Sequence, residues 1–304
     1  MNRAAPAPAE HARQGYAFGI AAYGLWGVLP IYFKQLTGVP PIDIVVHRII
    51  WSLPLLALLL IIGRNWGAVR TAVRDRKTLG LLTVTAILIA ANWLLYVYAV
   101  NSGRILAGSL GYYLNPLANV FLGWLVLKEK LDRLQWVAVA VAAAGIAPLA
   151  LQAIDQLWIS LTLCFSFATY GLLRKIATVD AVAGLTVETA LLLPFTLAWL
   201  AWDIAVGMPP LGSTFRETIF LLLAGLVSTT PLLLFTGAAR RLPYSTLGML
   251  QFLAPTMQFI LAVALYGEAF TQAHAIAFAA IWAALALYVA AIVRSARASV
   301  TLPE

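Results

Sequence analysis

The residues that can do chemistry in this chain are amides and tyrosine hydroxyls, set at helical spacing inside long apolar runs. Two stripes share the order polar, proline, polar at spacings of four and three residues, and lie 139 residues apart: Tyr112, Pro116 and Asn119, and Gln251, Pro255 and Gln258. Each stripe falls on one face of a helix. A proline removes a backbone hydrogen bond and permits a bend, which suits a helix that lines a cavity and moves. We therefore predict that both stripes face a substrate cavity, with hydrogen bonding between packed helices as the alternative.

Further polar residues lie well inside other apolar runs. The predicted cavity wall also includes Tyr23, Asn92, Tyr96, Asn115, Tyr170, Thr229 and Thr230, and Pro231 marks a third bend. Buried tyrosine hydroxyls need hydrogen-bond partners, which a polar solute can supply. A wall rich in tyrosine suits a small amphipathic solute with an apolar or aromatic part.

Several classes of function are disfavoured by what the sequence lacks. It has no G-x-x-x-x-G-K-[ST] loop, so we expect no ATP hydrolysis. Paired acids and a His-Glu-x-x-His pattern are absent, so we expect neither an enzyme nor a cofactor. The single Cys164 rules out an internal disulfide and a multi-cysteine metal site. The net charge of +8 comes from short basic clusters between apolar runs, so nucleic acid is not an expected partner.

Composition identifies an integral membrane protein. Hydrophobic residues make up 62% of the 304 residues and charged residues 11%, against about 45–50% and about 25% in soluble domains. A membrane span takes about 20 apolar residues. Ten runs meet that length: 15–35, 41–62, 78–101, 104–126, 134–151, 157–174, 181–203, 216–239, 243–266 and 271–293. The first is expected to be a retained span, because no small-residue cleavage site follows it as in a signal peptide.

Lys and Arg predict the orientation of the ten spans. With both termini in the cytoplasm, only Lys34, Arg104 and Arg216 fall outside and Arg48 falls within a span, while the other sixteen of the 20 basic residues are cytoplasmic. Cytoplasmic loops carry this excess in membrane proteins. A missing or extra span would destroy the bias, so the charge pattern also supports the number of spans.

The chain contains an internal repeat. Five residues of the first run recur in the sixth at identical spacing: Phe18, Ala21, Tyr23, Gly24 and Leu25, and Phe165, Ala168, Tyr170, Gly171 and Leu172. At the 139-residue offset, Glu129 likewise matches Glu268. Residues 1–152 and 153–304 are thus predicted repeats of five spans each, and an odd number inverts the second copy in the membrane. Inverted repeats are typical of secondary transporters, which bind substrate between the halves near the midplane.

His47, Arg48 and Glu188 are titratable residues inside apolar runs. Inversion leaves roughly 12 Å between residues 48 and 188 along the membrane normal, at about 1.5 Å per residue. A direct ion pair between them is therefore not expected. Snorkelling near Asp43 and His47 accounts for Arg48, and proton coupling through Glu188 or His47 stays open.

Six long motifs cover nearly the whole chain: AAYGLWGVLPIYFK (21–34), HRIIWS (47–52), NWLLYVYAVNSG (92–103), SLGYYLNPLANVFLG (109–123), FSFATYGLLRK (165–175) and STLGMLQFLAPTMQF (245–259). They resemble the RarD group of EamA-type proteins in the drug/metabolite transporter superfamily. The resemblance implies a ten-helix inverted-repeat transporter of the bacterial inner membrane that exports small metabolites, amino acids among them. It also implies a cavity lined by helices one, three, four, six, eight and nine. The RarD name carries an association with chloramphenicol.

Together these observations predict an all-α secondary transporter in the cell inner membrane, exporting small metabolites by alternating access. Neutral or aromatic amino acids are the expected substrates. No fixed charge is expected at the cavity centre, because helix N-termini and freed backbone amides can bind a carboxylate without an arginine. A drug (chloramphenicol-like) efflux permease is the alternative, and a membrane receptor or interaction protein without transport is a third hypothesis. The expected partners are the small-molecule substrate and the lipid bilayer.

Overall fold

The computed structural model describes residues 8–102, 104–152, 154–267 and 272–300, and the regular structure within them is helical. Glu268 lies outside these ranges, so its match to Glu129 is a sequence observation only. The helices are α1 (Pro8–Phe33), α2 (Pro41–Gly63), α3 (Trp66–Arg74), α4 (Arg76–Asn101), α5 (Ile105–Leu125), α6 (Arg133–Gln152), α7 (Leu157–Ile176), α8 (Ala181–Ala205), α9 (Phe215–Ala239), α10 (Tyr244–Gln251), α11 (Leu253–Ala264) and α12 (Gln272–Val300).

Nine segments of the described residues are long and apolar enough to cross a membrane, and they overlap nine of the ten predicted runs. This arrangement makes the chain a multi-pass membrane protein. The remaining run forms α5, a helix of 21 residues that is not among the nine. Its length equals that of a span, whereas Asn115, Pro116 and Asn119 lower its mean hydropathy.

The ninth predicted run is two helices rather than one. It is interrupted at Phe252, between the end of α10 and the start of α11. Pro255 has no backbone N–H, so the helix cannot bond back to the carbonyl of Gln251 four residues earlier. Pro116 and Pro231 lie inside helices that run on without a break in assignment. Of the three predicted bends, only that at Pro255 coincides with an interruption.

The basic segment between the second and third runs contains a helix that the sequence analysis missed. This helix, α3, has nine residues, too few for the length criterion of a span. Its buried Ala72 packs in a cluster with Leu82 of α4 and Ala183 of α8. Trp66 and Val73 are about half exposed, at 48% each. An exposed aromatic and exposed arginines on one short helix suit the membrane–water interface.

The packing of the helices has a reciprocal pattern. The first half contains α1, α2, α4, α5 and α6, and the second half contains α7, α8, α9, α10–α11 and α12. Helix α1 packs against α9 and α11, and α7, its counterpart in the predicted repeat, packs against α4 and α5. Similarly, α2 packs against α9 while α8 packs against α4. The helices α2 and α8, α5 and α10, and α6 and α12 also pack together, and each pair holds matching positions in the predicted repeat.

Small residues allow backbones to touch at two of these contacts. A Cβ added to Gly225 of α9 would overlap the backbone of Trp51 in α2. A Cβ added to Gly145 of α6 would overlap the Cβ of Ala280 in α12. Helices in lipid associate through such close contacts, because the surrounding acyl chains remove the usual hydrophobic drive.

We predict that Gly225→Ala destabilises the fold, because the new methyl group meets backbone atoms that cannot rotate away. Overpacking of this kind costs about 1–3 kcal/mol. The matched control is Gly80→Ala in α4, where a Cβ would have no neighbour within 4 Å. Thermal melting of both variants in one detergent checks the prediction. Equal melting temperatures for the two variants would contradict the close contact.

Candidate functional site

A cavity of about 640 Å³ lies among α1, α2, α4, α5 and α11. Its walls are rich in aromatic residues: Tyr23, Trp26, Phe33, Trp93, Tyr96, Tyr112, Tyr113, Phe167, Phe259 and Tyr266. It reaches the exposed Lys34, whose ammonium lies 4.6 Å from the ring centre of Tyr266. We refer to this side of the protein as the Lys34 end and to the opposite side as the Lys175 end.

The cavity stops in the middle of the protein at a layer of packed rings. This aromatic floor consists of Tyr23, Trp26, Phe167, Tyr170 and Phe235, whose neighbouring ring centres are 5.4 to 6.3 Å apart. The Tyr23 hydroxyl donates to the carbonyl of Leu247 at 3.1 Å, which joins α1 to α10. The residues that line the cavity extend from this floor to Lys34, so the cavity opens toward the Lys34 end.

Six of the eleven predicted wall residues line the cavity: Tyr23, Asn92, Tyr96, Tyr112, Gln251 and Gln258. The rings of Tyr96 and Tyr112 meet edge to face at 5.5 Å. Gln258 donates to the carbonyl of Trp26 at 2.9 Å, so it also joins α11 to α1. Pro255 lies on the cavity wall as well. The break that this proline produces is therefore at the cavity itself.

The other five predicted residues are not among those that line the cavity: Asn115, Asn119, Tyr170, Thr229 and Thr230. Asn119 donates to Gln251 Oε1 at 2.7 Å across the α5–α10 contact. Thr229 donates to Ser52 Oγ at 2.7 Å across the α2–α9 contact. Both bonds match the alternative of polar contacts between packed helices. Asn115 is fully buried, and Thr230 is half-buried on α9.

Arg48 lines the cavity, contrary to the expectation of a centre without fixed charge. Its guanidinium lies over the ring of Trp93, 4.5 Å from the ring centre, and its Nε donates to Ser228 Oγ at 2.6 Å. Sequence reasoning could not find this arrangement, because Trp93 and Ser228 belong to helices that are distant along the chain. Arg48 therefore turns toward α4 and α9, and these contacts replace the predicted snorkelling near Asp43.

His47 and Glu188 lie apart from the cavity. His47 is buried and its Nδ1 accepts from the Trp51 indole at 3.2 Å, one helical turn away. Glu188 is buried among α4, α7 and α8, where Thr85 donates to its Oε1 at 2.5 Å and Tyr170 to its Oε2 at 3.4 Å. Arg174 Nη1 is 3.5 Å from Glu188 Oε1. As expected, Glu188 is not paired with Arg48 in the described structure.

The burial of Arg174 was missed by the sequence analysis, which placed this residue in a cytoplasmic cluster. The structure buries it completely, with Nη2 donating to the carbonyl of Ala181 at 3.2 Å. Gly184 makes room for it, because a Cβ there would overlap the guanidinium. Gly184 and Glu188 are four residues apart and therefore lie on one face of α8. In the sequence, a glycine and an acid on one face of an apolar helix were the available signal for a buried basic partner.

A multi-pass helical protein with a solute-sized cavity among its helices has the architecture of a membrane transporter. The model of the EamA-like transporter family matches residues 13–151. Protein RarD of Escherichia coli (strain K12) is 41% identical over 289 residues, which cover 92% of this chain and 95% of the relative. An "uncharacterized transporter" of Vibrio cholerae is 44% identical over 280 residues, 92% of this chain and 93% of the relative. The chain therefore belongs to the EamA-like transporter family, in the group of RarD proteins.

Two further likenesses are more distant. The "chloramphenicol-sensitive protein RarD" of Pseudomonas aeruginosa is 32% identical over 282 residues, covering 90% of this chain and 93% of that relative. One crystal structure matches with a TM-score of 0.69 and 20% identity, covering 90% of this chain and 96% of the other. At that identity, the match indicates a shared fold and nothing about substrate.

We predict that Arg174→Met and Glu188→Leu each destabilise the protein, because either change leaves one buried charge without its counter-ion. Removing one partner of a buried pair costs about 3–5 kcal/mol. The double variant should be closer to the wild type than either single variant. Thermal melting of all three, with the exposed Arg70→Met as control, checks this coupling. Losses that simply add in the double variant would show that the two charges do not compensate each other.

Proposed function

We propose that this protein is a secondary transporter of the inner membrane that moves small metabolites by alternating access, with neutral or aromatic amino acids as its substrates. The observation that carries the proposal is the cavity that opens at one end and stops at the aromatic floor. A site between two inverted halves needs to open alternately to each side. The structure then corresponds to a state open toward the Lys34 end.

We further infer that α5 is the tenth span and that the two halves are inverted repeats. Reciprocal packing supports this inference, since α1 meets α9 and α11 as α7 meets α4 and α5. With both termini in the cytoplasm, the Lys34 end faces outward and the Lys175 end faces the cytoplasm. The aromatic floor then acts as the closed inner gate, and export ends with release from the cavity at the Lys34 end.

The size and lining of the cavity support a small amphipathic substrate. A volume of about 640 Å³ falls within the range of about 300–1,000 Å³ that is usual for small-molecule sites. Aromatic rings suit an apolar or aromatic side chain. A charged side chain on the amino acid would be buried against the rings of Trp26 and Phe167 without a partner, which is costly. Glutamate and lysine should therefore be poor substrates.

Drug efflux is the second candidate. It is favoured by the aromatic walls, and by the name of the Pseudomonas aeruginosa relative, a "chloramphenicol-sensitive protein". The cavity is also large enough for a drug-sized solute. A membrane receptor without transport is the third candidate, and it requires no second open state.

Counterflow in liposomes that hold the purified protein tests these candidates. We expect uptake of labelled phenylalanine, methionine or threonine, and little competition by glutamate or lysine. Ala262 lines the cavity and Ala283 of α12 is exposed. Ala262→Trp should therefore abolish counterflow by filling the cavity, whereas Ala283→Trp should leave it intact. Strong competition by chloramphenicol without amino-acid counterflow would favour drug efflux, and no flux of either solute would favour a receptor.

The proposed topology predicts the sidedness of three cysteine variants. Ser213→Cys should react with a membrane-impermeant maleimide in intact cells, while Arg70→Cys and Arg240→Cys should react only after permeabilisation. All three positions are exposed. Native Cys164 is buried and gives no background. If α5 did not cross the membrane, the sides of positions 213 and 240 would exchange, so labelling of Arg240→Cys in intact cells would contradict ten spans.

A further inference from the structure

We propose that Arg48 binds the carboxylate and Asn92 the ammonium group of a zwitterionic substrate in the cavity. The inference rests on the proposed transport of amino acids and assigns their recognition to particular side chains. Arg48 lies on α2 and Asn92 on α4, and both line the cavity. The two residues lie near each other on either side of Trp93. Trp93 directly follows Asn92 in the chain, and the guanidinium of Arg48 lies over its ring.

The contacts of Arg48 leave its carboxylate-binding edge available. Its Nε is occupied by Ser228, whose own hydroxyl donates to the carbonyl of Ala224 at 2.7 Å and so accepts from the arginine. In the part of the chain that the structure describes, no carboxylate lies within 4.0 Å of the Arg48 guanidinium, and its two terminal nitrogens have no hydrogen-bond partner. Two terminal N–H groups of arginine fit the two oxygens of a carboxylate.

An arginine at membrane depth without a counter-ion is costly unless it faces water or a ligand. The ring of Trp93 offsets part of this cost through a cation–π contact. Neither Ser228 nor Trp93 carries a negative charge, so the net charge of the cavity wall at this point is positive. An anionic group on the solute is the missing partner, and in an amino acid that group is the α-carboxylate.

Asn92 presents the complementary group. Its Nδ2 donates to the carbonyl of Leu163 at 2.8 Å and to Ser166 Oγ at 2.9 Å. These two bonds fix the orientation of the amide, since the reversed amide would place its oxygen against the Leu163 carbonyl. Its Oδ1 is buried and has no hydrogen-bond partner in the described structure. An unsatisfied buried acceptor is unfavourable, and the ammonium group of a bound substrate would satisfy it after a local shift of the wall around Asn92.

The two polar side chains and the aromatic rings contact different parts of the substrate. Arg48 and Asn92 supply one positive donor group and one acceptor, which matches the two charged groups on the α-carbon of an amino acid. The rings of Tyr23, Trp26 and Phe167 remain for the side chain. The chemical class is therefore an α-amino acid whose side chain is neutral and apolar or aromatic.

Three related compounds test the assignment by counterflow competition: phenylalanine, 2-phenylethylamine, which lacks the carboxylate, and 3-phenylpropionate, which lacks the ammonium group. Arg48→Gln should lower the apparent affinity for phenylalanine about tenfold or more, as expected for a charged hydrogen-bonded pair, and leave that for 2-phenylethylamine unchanged. Asn92→Leu should lower the apparent affinities for both phenylalanine and 2-phenylethylamine and leave that for 3-phenylpropionate unchanged. The ratio of the apparent affinities for two compounds, measured on the same variant, does not depend on how much of that variant is folded.

The positioning role of Ser228 gives a second readout. Ser228→Ala should lower the apparent affinity for phenylalanine less than Arg48→Gln does. Arg48→Lys keeps the positive charge but loses the two parallel N–H groups of the guanidinium, so it should retain part of the affinity. Wild-type affinity of Arg48→Gln for phenylalanine would overturn the assignment while transport itself stands. Equal loss for all three compounds would show a structural role for Arg48 and overturn it too. Absence of amino-acid counterflow in the wild type would overturn both the proposed substrate and this inference.

Discussion

The hydrocarbon core offers no water to buried polar groups, and the rest of the structure depends on how the chain meets this constraint. Helix ends at the Lys175 end show the solution most clearly. Lys175 donates to the carbonyls of Ala239 and Leu242, where the chain turns between α9 and α10. Glu129 accepts from the amides of Tyr244 and Ser245, the first residues of α10. Charged side chains thus replace water at backbone groups that a helix cannot satisfy itself, and they hold this end of the bundle together.

The same constraint separates structural polar residues from those available to a solute. Most buried polar side chains have a partner on another helix, as Asn119 has Gln251 and Thr229 has Ser52. Both of these bonds join a helix of residues 1–152 to a helix of residues 153–304, so the paired side chains stabilise the packing of the bundle. Two of the side chains that line the cavity, Arg48 and Asn92, keep unused hydrogen-bonding capacity, and Asn115 away from the cavity does so too.

Sequence reasoning could predict the helices because apolar length and proline position are local properties. It placed the second and fourth apolar runs correctly as helices, and it marked Pro255, close to the point where the helix breaks. It missed α3, because a helix of nine residues is shorter than the apolar runs by which spans were recognised. It also could not decide which polar residues face the cavity. Tyr112 and Asn119 share one predicted face of α5, yet only Tyr112 lines the cavity, because the α10 backbone approaches Asn119 so closely that Gly248 has no room for a Cβ. Such proximity depends on helices far apart in sequence, and periodicity carries no information about it.

The small-residue contact between α6 and α12 has a consequence for the order in which the protein is made. Gly145 approaches Ala280 so closely that a Cβ on Gly145 would overlap the Cβ of Ala280. This contact can form only after both helices have been made. Helix α6 emerges from the ribosome before any of the second half exists, whereas α12 is synthesised after the other helices. During that interval the face of α6 around Ala138, Ala142 and Gly145 has only lipid or an insertion factor to cover it. This contact therefore forms only after α12 has been made, and a chain that stops before α12 leaves this face of α6 without its packing partner.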